Sequence, residues 1–296
     1  MTTPAGRAAR PRHPWIAGAR PRTLPASAVP VVVGTAVASA EGGVIWWRAA
    51  AAFIVSLAIQ IGTNYANDYS DGIRGTDDVR VGPVRLVASG LASPAMVRRA
   101  AFLAFAVAGA AGLALAAAAG WWLIAVGAGS MLAGWLYTGG PRPYGYVGLG
   151  ELFVFMFFGL VATAGTAYVQ LERVTGLAVA ASVPVGLVAV ALLVVNNLRD
   201  IPTDAASGKR TLAVRLGPNN TRRLYAASVI LPFVAACAIA VSRPWALLSL
   251  LAAPLAIKPV RRVLNGEKGP GLIAVLADTG RLQLVLGALL AAGIAA

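Results

Sequence analysis

The sequence predicts an all-α membrane protein, a bundle of about nine transmembrane helices with a cytoplasmic N-terminus. Of 296 residues, 58% are hydrophobic and only 12% are charged, whereas a soluble domain carries about a quarter charged residues. Apolar runs of about 17–24 residues recur along the chain, which is the length that crosses the hydrocarbon of a bilayer. We therefore expect one transmembrane domain over 19–296, preceded by a disordered basic tail at 1–18.

The predicted spans alternate with loops that contain most of the charged residues. Pro244, Pro254 and Pro259 interrupt the eighth span, so a bundle of eight is the alternative. The nine spans lie at residues 24–40, 46–62, 97–119, 121–138, 148–168, 176–197, 224–241, 245–258 and 272–295.

The distribution of positive charge predicts the orientation. With a cytoplasmic N-terminus, 22 of the 25 Lys and Arg residues fall in inner segments, and only Arg48, Arg173 and Arg243 fall in outer ones. Lys and Arg concentrate in cytoplasmic loops of membrane proteins, so the net charge of +14 is explained by topology rather than by binding to nucleic acid. Tryptophans open several spans on the predicted outer side, where indole rings favour the interface.

Acidic residues cluster first at the inner end of the second span. Asn64, Asp68 and Asp71 follow at i, i+4 and i+7, which places them along one stripe of a helix. Asn67 lies within the same stretch, and Asp77 and Asp78 follow in the loop.

A second cluster lies at the inner end of the sixth span. Asn197, Asp200 and Asp204 follow at i, i+3 and i+7, again on one helix face. Pro202 lies between the two acids and can kink the helix.

These two clusters predict a magnesium site that handles a diphosphate. Mg²⁺ prefers oxygen ligands and is completed by substrate phosphates and water. Cations beside the acids would neutralise the remaining phosphate charge; they are Arg74, Arg80, Arg85, Arg199, Lys209 and Arg210. Ordinary solvated loop charge is the alternative interpretation, and it applies best to Asp78.

Two further segments are candidates for substrate binding. Arg20 and Arg22 precede the first span, where they would bind an aromatic carboxylate or simply flank the span as cytoplasmic charge. The loop at 137–151 is rich in Gly and Pro and contains Tyr137 and Tyr144. Its last residue, Glu151, lies at the edge of a span, where an ionisable residue marks either a site or an interface.

The segments 19–25, 64–78, 82–90, 137–151 and 196–217 together resemble the UbiA superfamily of intramembrane aromatic prenyltransferases, and within it the branch that acts on dihydroxynaphthoate. They cover nearly 200 residues in the expected order. Two departures from other branches are Gly75, where many members have a third Asp, and Asn197, where relatives often have Asp.

The resemblance implies transfer of a polyprenyl group from polyprenyl diphosphate to 1,4-dihydroxy-2-naphthoate, with loss of CO₂ and formation of demethylmenaquinone at the cytoplasmic face of a bacterial plasma membrane. It implies Mg²⁺ on Asp68, Asp71 and Asp200, with Asp77 and Asp204 as outer candidates. It implies diphosphate contacts from Arg74, Lys209 and Arg210. The other candidate substrate contacts are Arg20, Arg22, Asn64, Asn67, Tyr137, Tyr144, Asn197 and Arg199.

Two alternatives stay open from the sequence. One is a prenyltransferase of the same superfamily with another acceptor, such as hydroxybenzoate or homogentisate. The other is an ion transporter, although transport paths place ionisable residues near the bilayer midplane, and here the acids lie at the inner ends of spans.

Overall fold

The computed structural model describes residues 13–75 and 85–296, with the Arg22 side chain outside the description. Within these residues helices are the only regular secondary structure, which confirms the predicted all-α fold class. The tail predicted at 1–18 is described only from residue 13, and a short helix occupies Pro14–Ala19.

Ten α-helices, labelled in chain order, make up the described part. The sixth contains a π-helical segment at its centre, and the ninth continues a 3₁₀ helix at Pro244–Ala252. The helices are α1 (Pro14–Ala19), α2 (Pro25–Glu41), α3 (Trp46–Ile73), α4 (Pro94–Ala119), α5 (Leu123–Leu136), α6 (Gly150–Leu171), α7 (Gly176–Ala206), α8 (Leu212–Ile239), α9 (Ala253–Leu264) and α10 (Gly271–Ala295).

Six of these helices (α3, α4, α6, α7, α8 and α10) are long and apolar enough to cross a membrane, among the residues that the structure describes. Helices α2 and α5 are apolar but shorter, at 17 and 14 residues. The predicted eighth span corresponds to the 3₁₀ helix followed by α9. A 3₁₀ helix rises about 2.0 Å per residue rather than 1.5 Å, so this segment covers more distance than an α-helix of equal length.

The contacts between loops support the predicted sidedness. Side chains from the inner segments 63–99, 139–147 and 198–223 contact one another: Asp71 lies close to Arg85, Tyr146 and Lys209. These segments therefore share one end of the bundle.

The three arginines predicted on the other side bind the ends of neighbouring helices. Arg48 donates to the carbonyls of Ala118 and Val169, and Arg173 and Arg243 donate to carbonyls in the last turn of α2. Such carbonyls lack partners within their helix, so each of these cations stabilises a helix terminus. This explains the few positive charges on that side, where Arg48 also pairs with Glu172 at 2.7 Å.

A long π-helical segment, Phe155–Ala164, lies in the middle of α6. π-Helical geometry is rare, is mostly a single turn, and is frequent at functional sites. Its Gly159 packs against Gly186 of α7 so closely that a Cβ atom on Gly159 would lie 2.8 Å from the Gly186 Cα. In membrane proteins, small residues at such contacts let helix backbones approach. The π segment of α6 consequently packs directly against the backbone of α7 at this point.

Candidate active site

A large cavity among the described residues includes the end of the bundle where the acids lie. Its volume is about 670 Å³, and it extends along the π segment of α6 into the apolar interior. Both predicted acid clusters contribute to it, through Asp71 from α3 and Asp200 and Asp204 from α7. The structure therefore brings the two clusters, separated by about 130 residues of sequence, to one site.

Asp71 is surrounded by donors from three different segments. Tyr146 donates its hydroxyl hydrogen to Asp71 Oδ1 at 2.7 Å, and Lys209 Nζ lies 3.1 Å from the same oxygen. Arg85 lies 3.6 Å from Oδ2. Asp71 is only 2% exposed, and a buried carboxylate requires such compensation by cations and hydrogen bonds.

Asp200 is compensated within its own helix. Arg199 donates from Nε and Nη2 to the two carboxylate oxygens at 2.7 and 2.8 Å, a bidentate pair of buried side chains. Such planar pairing is the strongest geometry for an Arg–carboxylate contact. The predicted binding residue Arg199 therefore lies at the cavity, with its guanidinium engaged by the neighbouring acid.

Asp68 has different surroundings. It is buried, and its carboxylate accepts the backbone N–H groups of Leu86 and Val87; it is not among the residues that line the cavity. Its metal-binding role stays a prediction, while its observed contacts are those of an anchor for the turn at 85–90.

The amides of three predicted residues have fixed orientations at the cavity. Asn64 donates to the Ala19 carbonyl, Asn67 accepts from Thr138 at 2.7 Å, and Asn197 donates to Glu151 at 2.9 Å. Because an amide has one donating and one accepting end, each of these bonds determines which end remains for the cavity.

Aromatic residues of the loop after α5 form a stack with Phe153 in the same cavity. The Tyr144 ring lies 4.0 Å, centroid to centroid, from that of Phe153 and 5.5 Å from that of Tyr137. All three line the cavity. Burial raises the pKa of the Tyr144 hydroxyl above its usual range, so Tyr144 is neutral at physiological pH and can donate a hydrogen bond.

The remaining predicted residues are divided between the cavity and its surroundings. Arg20 lines the cavity. Arg74 and Arg210 are exposed and are not among the lining residues; Arg74 donates to the carbonyls of Thr138 and Gly140. Asp77 and the Arg22 side chain lie outside the described residues. Among the described residues, no three His, Cys, Asp or Glu side chains group closely enough to hold a metal by themselves.

Two residues of the site were not predicted: Tyr146, which donates to Asp71, and Thr138, which donates to Asn67. Arg85, predicted as a cation beside the acids, is buried against Asp71. Tyr146 and Thr138 lie in the Gly- and Pro-rich loop that the sequence already singled out, but nothing in the local pattern indicates which side chain reaches α3.

Comparison with known proteins places this architecture in a family. Residues 27–293 match the UbiA prenyltransferase family, and the chain belongs to that family. The chain is 52% identical to a 1,4-dihydroxy-2-naphthoate octaprenyltransferase of Mycobacterium tuberculosis, over 92% of this chain and 93% of the relative. It is 35% identical to the Escherichia coli protein of the same name, over 95% and 94% of the two chains.

A solved UbiA homologue of Archaeoglobus fulgidus, bound to DMAPP and Mg²⁺, shares the fold. The TM-score is 0.64 at 16% identity, covering 95% of this chain and 98% of that chain. The protein is thus a multi-pass membrane prenyltransferase, and the ion-transporter alternative is set aside.

Proposed function

We propose that this protein transfers a polyprenyl group from polyprenyl diphosphate to 1,4-dihydroxy-2-naphthoate, with loss of CO₂, giving demethylmenaquinone. The observation that carries the proposal is a single cavity with paired acids and cations at its mouth and an aromatic, apolar wall behind them. The relatives named for this acceptor match over more than nine-tenths of the chain, which supports the choice of acceptor. The bias of positive charge supports a mouth at the cytoplasmic face, and the bacterial relatives support a bacterial plasma membrane.

The donor set at the mouth fits Mg²⁺. All the candidate ligands are hard oxygen donors, and Mg²⁺ binds through one or two carboxylates plus substrate phosphates rather than in an all-protein cage. Asp71 on one side and Asp200 and Asp204 on the other line the same cavity and would hold it. When bound, Mg²⁺ would stabilise the negative charge on the leaving diphosphate.

Lys209 and Arg85 are placed to share that task. Both are buried side chains that line the cavity and already face the carboxylate of Asp71. As diphosphate charge develops, cations held at this position stabilise it without having to reorganise. Tyr146 supports the arrangement, since it donates to Asp71 and its ring lies 4.7 Å from Lys209 Nζ.

The apolar part of the cavity suits the prenyl chain. Beyond the charged mouth the wall consists of aliphatic and aromatic side chains from α3, α4, α5 and α6, among them Ile59, Leu115, Val126, Phe157 and Val161. The allylic end of the chain would then lie beside the mouth, next to the aromatic stack where the ring acceptor is expected.

An acceptor screen tests this function. Purified protein is given a radiolabelled polyprenyl diphosphate with either 1,4-dihydroxy-2-naphthoate or 4-hydroxybenzoate, each with and without EDTA. We expect prenylated, decarboxylated product from the naphthoate only, and its loss with EDTA. Product from hydroxybenzoate alone would refute the proposed acceptor, and undiminished turnover in EDTA would refute the metal requirement.

A further inference from the structure

A buried acid and a buried amide form a hydrogen-bonded pair at the cavity. The amide lines the cavity, and the acid lies behind it. Glu151, in the first turn of α6, is 7% exposed, and Asn197 of α7 is 9% exposed. Asn197 Nδ2 donates to Glu151 Oε1 at 2.9 Å. Glu151 Oε2 is buried and has no hydrogen-bond partner among the described residues. An unsatisfied buried oxygen costs free energy, so stability alone does not account for a carboxylate here.

The pair fixes the orientation of the Asn197 amide. A carboxylate accepts hydrogen bonds, so the donating NH₂ end of Asn197 must face Glu151. The carbonyl oxygen Oδ1 is then the polar atom that Asn197 offers to the cavity, which this residue lines. Within residues 13–75 and 85–296, no group donates a hydrogen bond to Asn197 Oδ1. This oxygen can therefore accept one from a ligand.

The position of this oxygen matches a ring substrate. Asn197 lies three residues before Asp200 on α7, and the aromatic stack of Tyr137, Tyr144 and Phe153 lines the same cavity. Aromatic faces favour a flat aromatic ligand. A fixed acceptor beside such faces would bind a ring hydroxyl, which is a hydrogen-bond donor.

We infer that Glu151 is a positioning residue: by holding Asn197, it makes the cavity accept a hydrogen bond from the ring substrate and so select the hydroquinone over its oxidised quinone. The inference rests on the proposed function. A hydroquinone hydroxyl donates to Asn197 Oδ1, whereas a quinone presents a carbonyl oxygen that only accepts. Two facing acceptors leave both groups unpaired, which is the situation in which a site discriminates most strongly.

Such selection would serve the reaction. Only the electron-rich hydroquinone ring attacks an allylic cation, and the oxidised ring of the same shape would otherwise occupy the site as an inhibitor. Apolar packing does not distinguish the hydroquinone from the quinone, because the two rings have the same shape. A hydrogen-bond acceptor does distinguish them, because only the hydroquinone has a hydroxyl hydrogen to donate.

Equilibrium binding without prenyl diphosphate tests the inference, because it requires no turnover. The dissociation constants of 1,4-dihydroxy-2-naphthoate, kept reduced under anaerobic conditions, and of 1,4-naphthoquinone-2-carboxylate are measured in one detergent. We expect wild-type protein to bind the reduced form at least about tenfold more tightly. Glu151→Gln, which lets the Asn197 amide turn over, should reduce that ratio towards one.

A reciprocal exchange and a control complete the test. In the double variant Glu151→Gln/Asn197→Asp, the new amide donates to the new carboxylate and an acceptor again faces the cavity, so the preference should return. Glu267→Gln makes the same chemical change at a residue paired with Arg262 outside the cavity and should leave the ratio unchanged. If Glu151→Gln does not fold, Asn197→Leu tests the same point: it removes the acceptor, so the ratio of the two dissociation constants should again fall towards one.

An unchanged ratio in Glu151→Gln, or in Asn197→Leu, would overturn the inference. So would equal weakening of both forms together with a lower melting temperature, since that pattern describes a purely structural pair. Failure of the proposed function would give a different result. The acceptor screen would then yield product from another acceptor, whether or not the protein binds the reduced naphthoate more tightly than the oxidised one.

Discussion

The backbone N–H of Leu86 donates to Oδ2 of Asp68 at 2.8 Å, and the N–H of Val87 donates to Oδ1 of the same carboxylate at 3.0 Å. Asp68 is 1% exposed, and these two bonds tie the turn at 85–90 to α3. Arg85 begins that turn and lies against Asp71. The observed contacts thus link Asp68 through the backbone to the mouth of the cavity, where we propose that the diphosphate binds.

Asp68→Asn tests this link. The amide keeps one acceptor but turns its NH₂ towards a backbone N–H, so we expect a loss of about 1–3 kcal/mol of stability. We also expect turnover to fall by about 10² because the loss of the anchor shifts Arg85. Thermal unfolding in detergent and a titration of turnover against Mg²⁺ are the measurements. Recovery of full turnover at high Mg²⁺ would indicate a metal ligand instead of an anchor.

Asp71→Asn is expected to act on the metal and the cations together. The neutral amide is a weaker ligand for Mg²⁺ and removes the carboxylate that faces Lys209 and Arg85. Turnover should fall by about 10² or more, and the Mg²⁺ concentration for half-maximal rate should rise. Asp278→Asn is the matched control, because Asp278 pairs with Lys258 and Arg281 and does not line the cavity. An unchanged Mg²⁺ requirement in Asp71→Asn would argue against its role as a ligand.

Lys209 and Arg210 are neighbours with different surroundings, which permits a direct comparison. Lys209 is buried at the cavity, whereas Arg210 is exposed and donates its backbone N–H to the Tyr146 carbonyl. Charge on the leaving diphosphate grows in the transition state, so a cation that acts on it raises kcat more than it tightens ground-state binding. Lys209→Ala should lower kcat by about tenfold or more, and Arg210→Ala by less.

The measurement is a pair of titrations, turnover and binding of an unreactive thiolodiphosphate analogue, on each variant. Equal free-energy losses in turnover and analogue binding would show that Lys209 only docks the substrate. A larger loss of kcat in Arg210→Ala than in Lys209→Ala would return the catalytic role to Arg210, where the sequence had placed it together with Lys209.

The sequence predicted the elements with strong periodic or compositional signals. Apolar length located the helices, because it depends on local geometry. The spacings i, i+4, i+7 on α3 and i, i+3, i+7 on α7 predicted two acid stripes; Asp71, Asp200 and Asp204 line the cavity, whereas Asp68 does not. The contacts of Asp68 with Leu86 and of Tyr146 with Asp71 join segments 18 and 75 residues apart. No local pattern specifies such pairs. The orientation of the Asn197 amide likewise depends on Glu151, a residue 46 positions away.

The π segment of α6 is a further feature that the sequence did not indicate, and its close contact with α7 can be tested by mutation. At Gly159 a Cβ atom would lie 2.8 Å from Gly186 Cα and 3.1 Å from the Ser182 carbonyl oxygen. Because both are backbone atoms, α6 and α7 must separate to accommodate Gly159→Ala. We expect a loss of about 1–3 kcal/mol of stability.

The same substitution should change chain-length preference, since Phe157 and Phe158 of the π segment line the apolar cavity. The KM for a long polyprenyl diphosphate should rise more than that for a five-carbon one, whose tail does not reach this wall. Gly109→Ala in α4 is the matched control, because a Cβ there meets no atom within 4 Å, Gly109 does not line the cavity and alanine favours the helix. Equal KM changes for long and short donors would show that Gly159 serves helix packing alone, with no part in shaping the prenyl site.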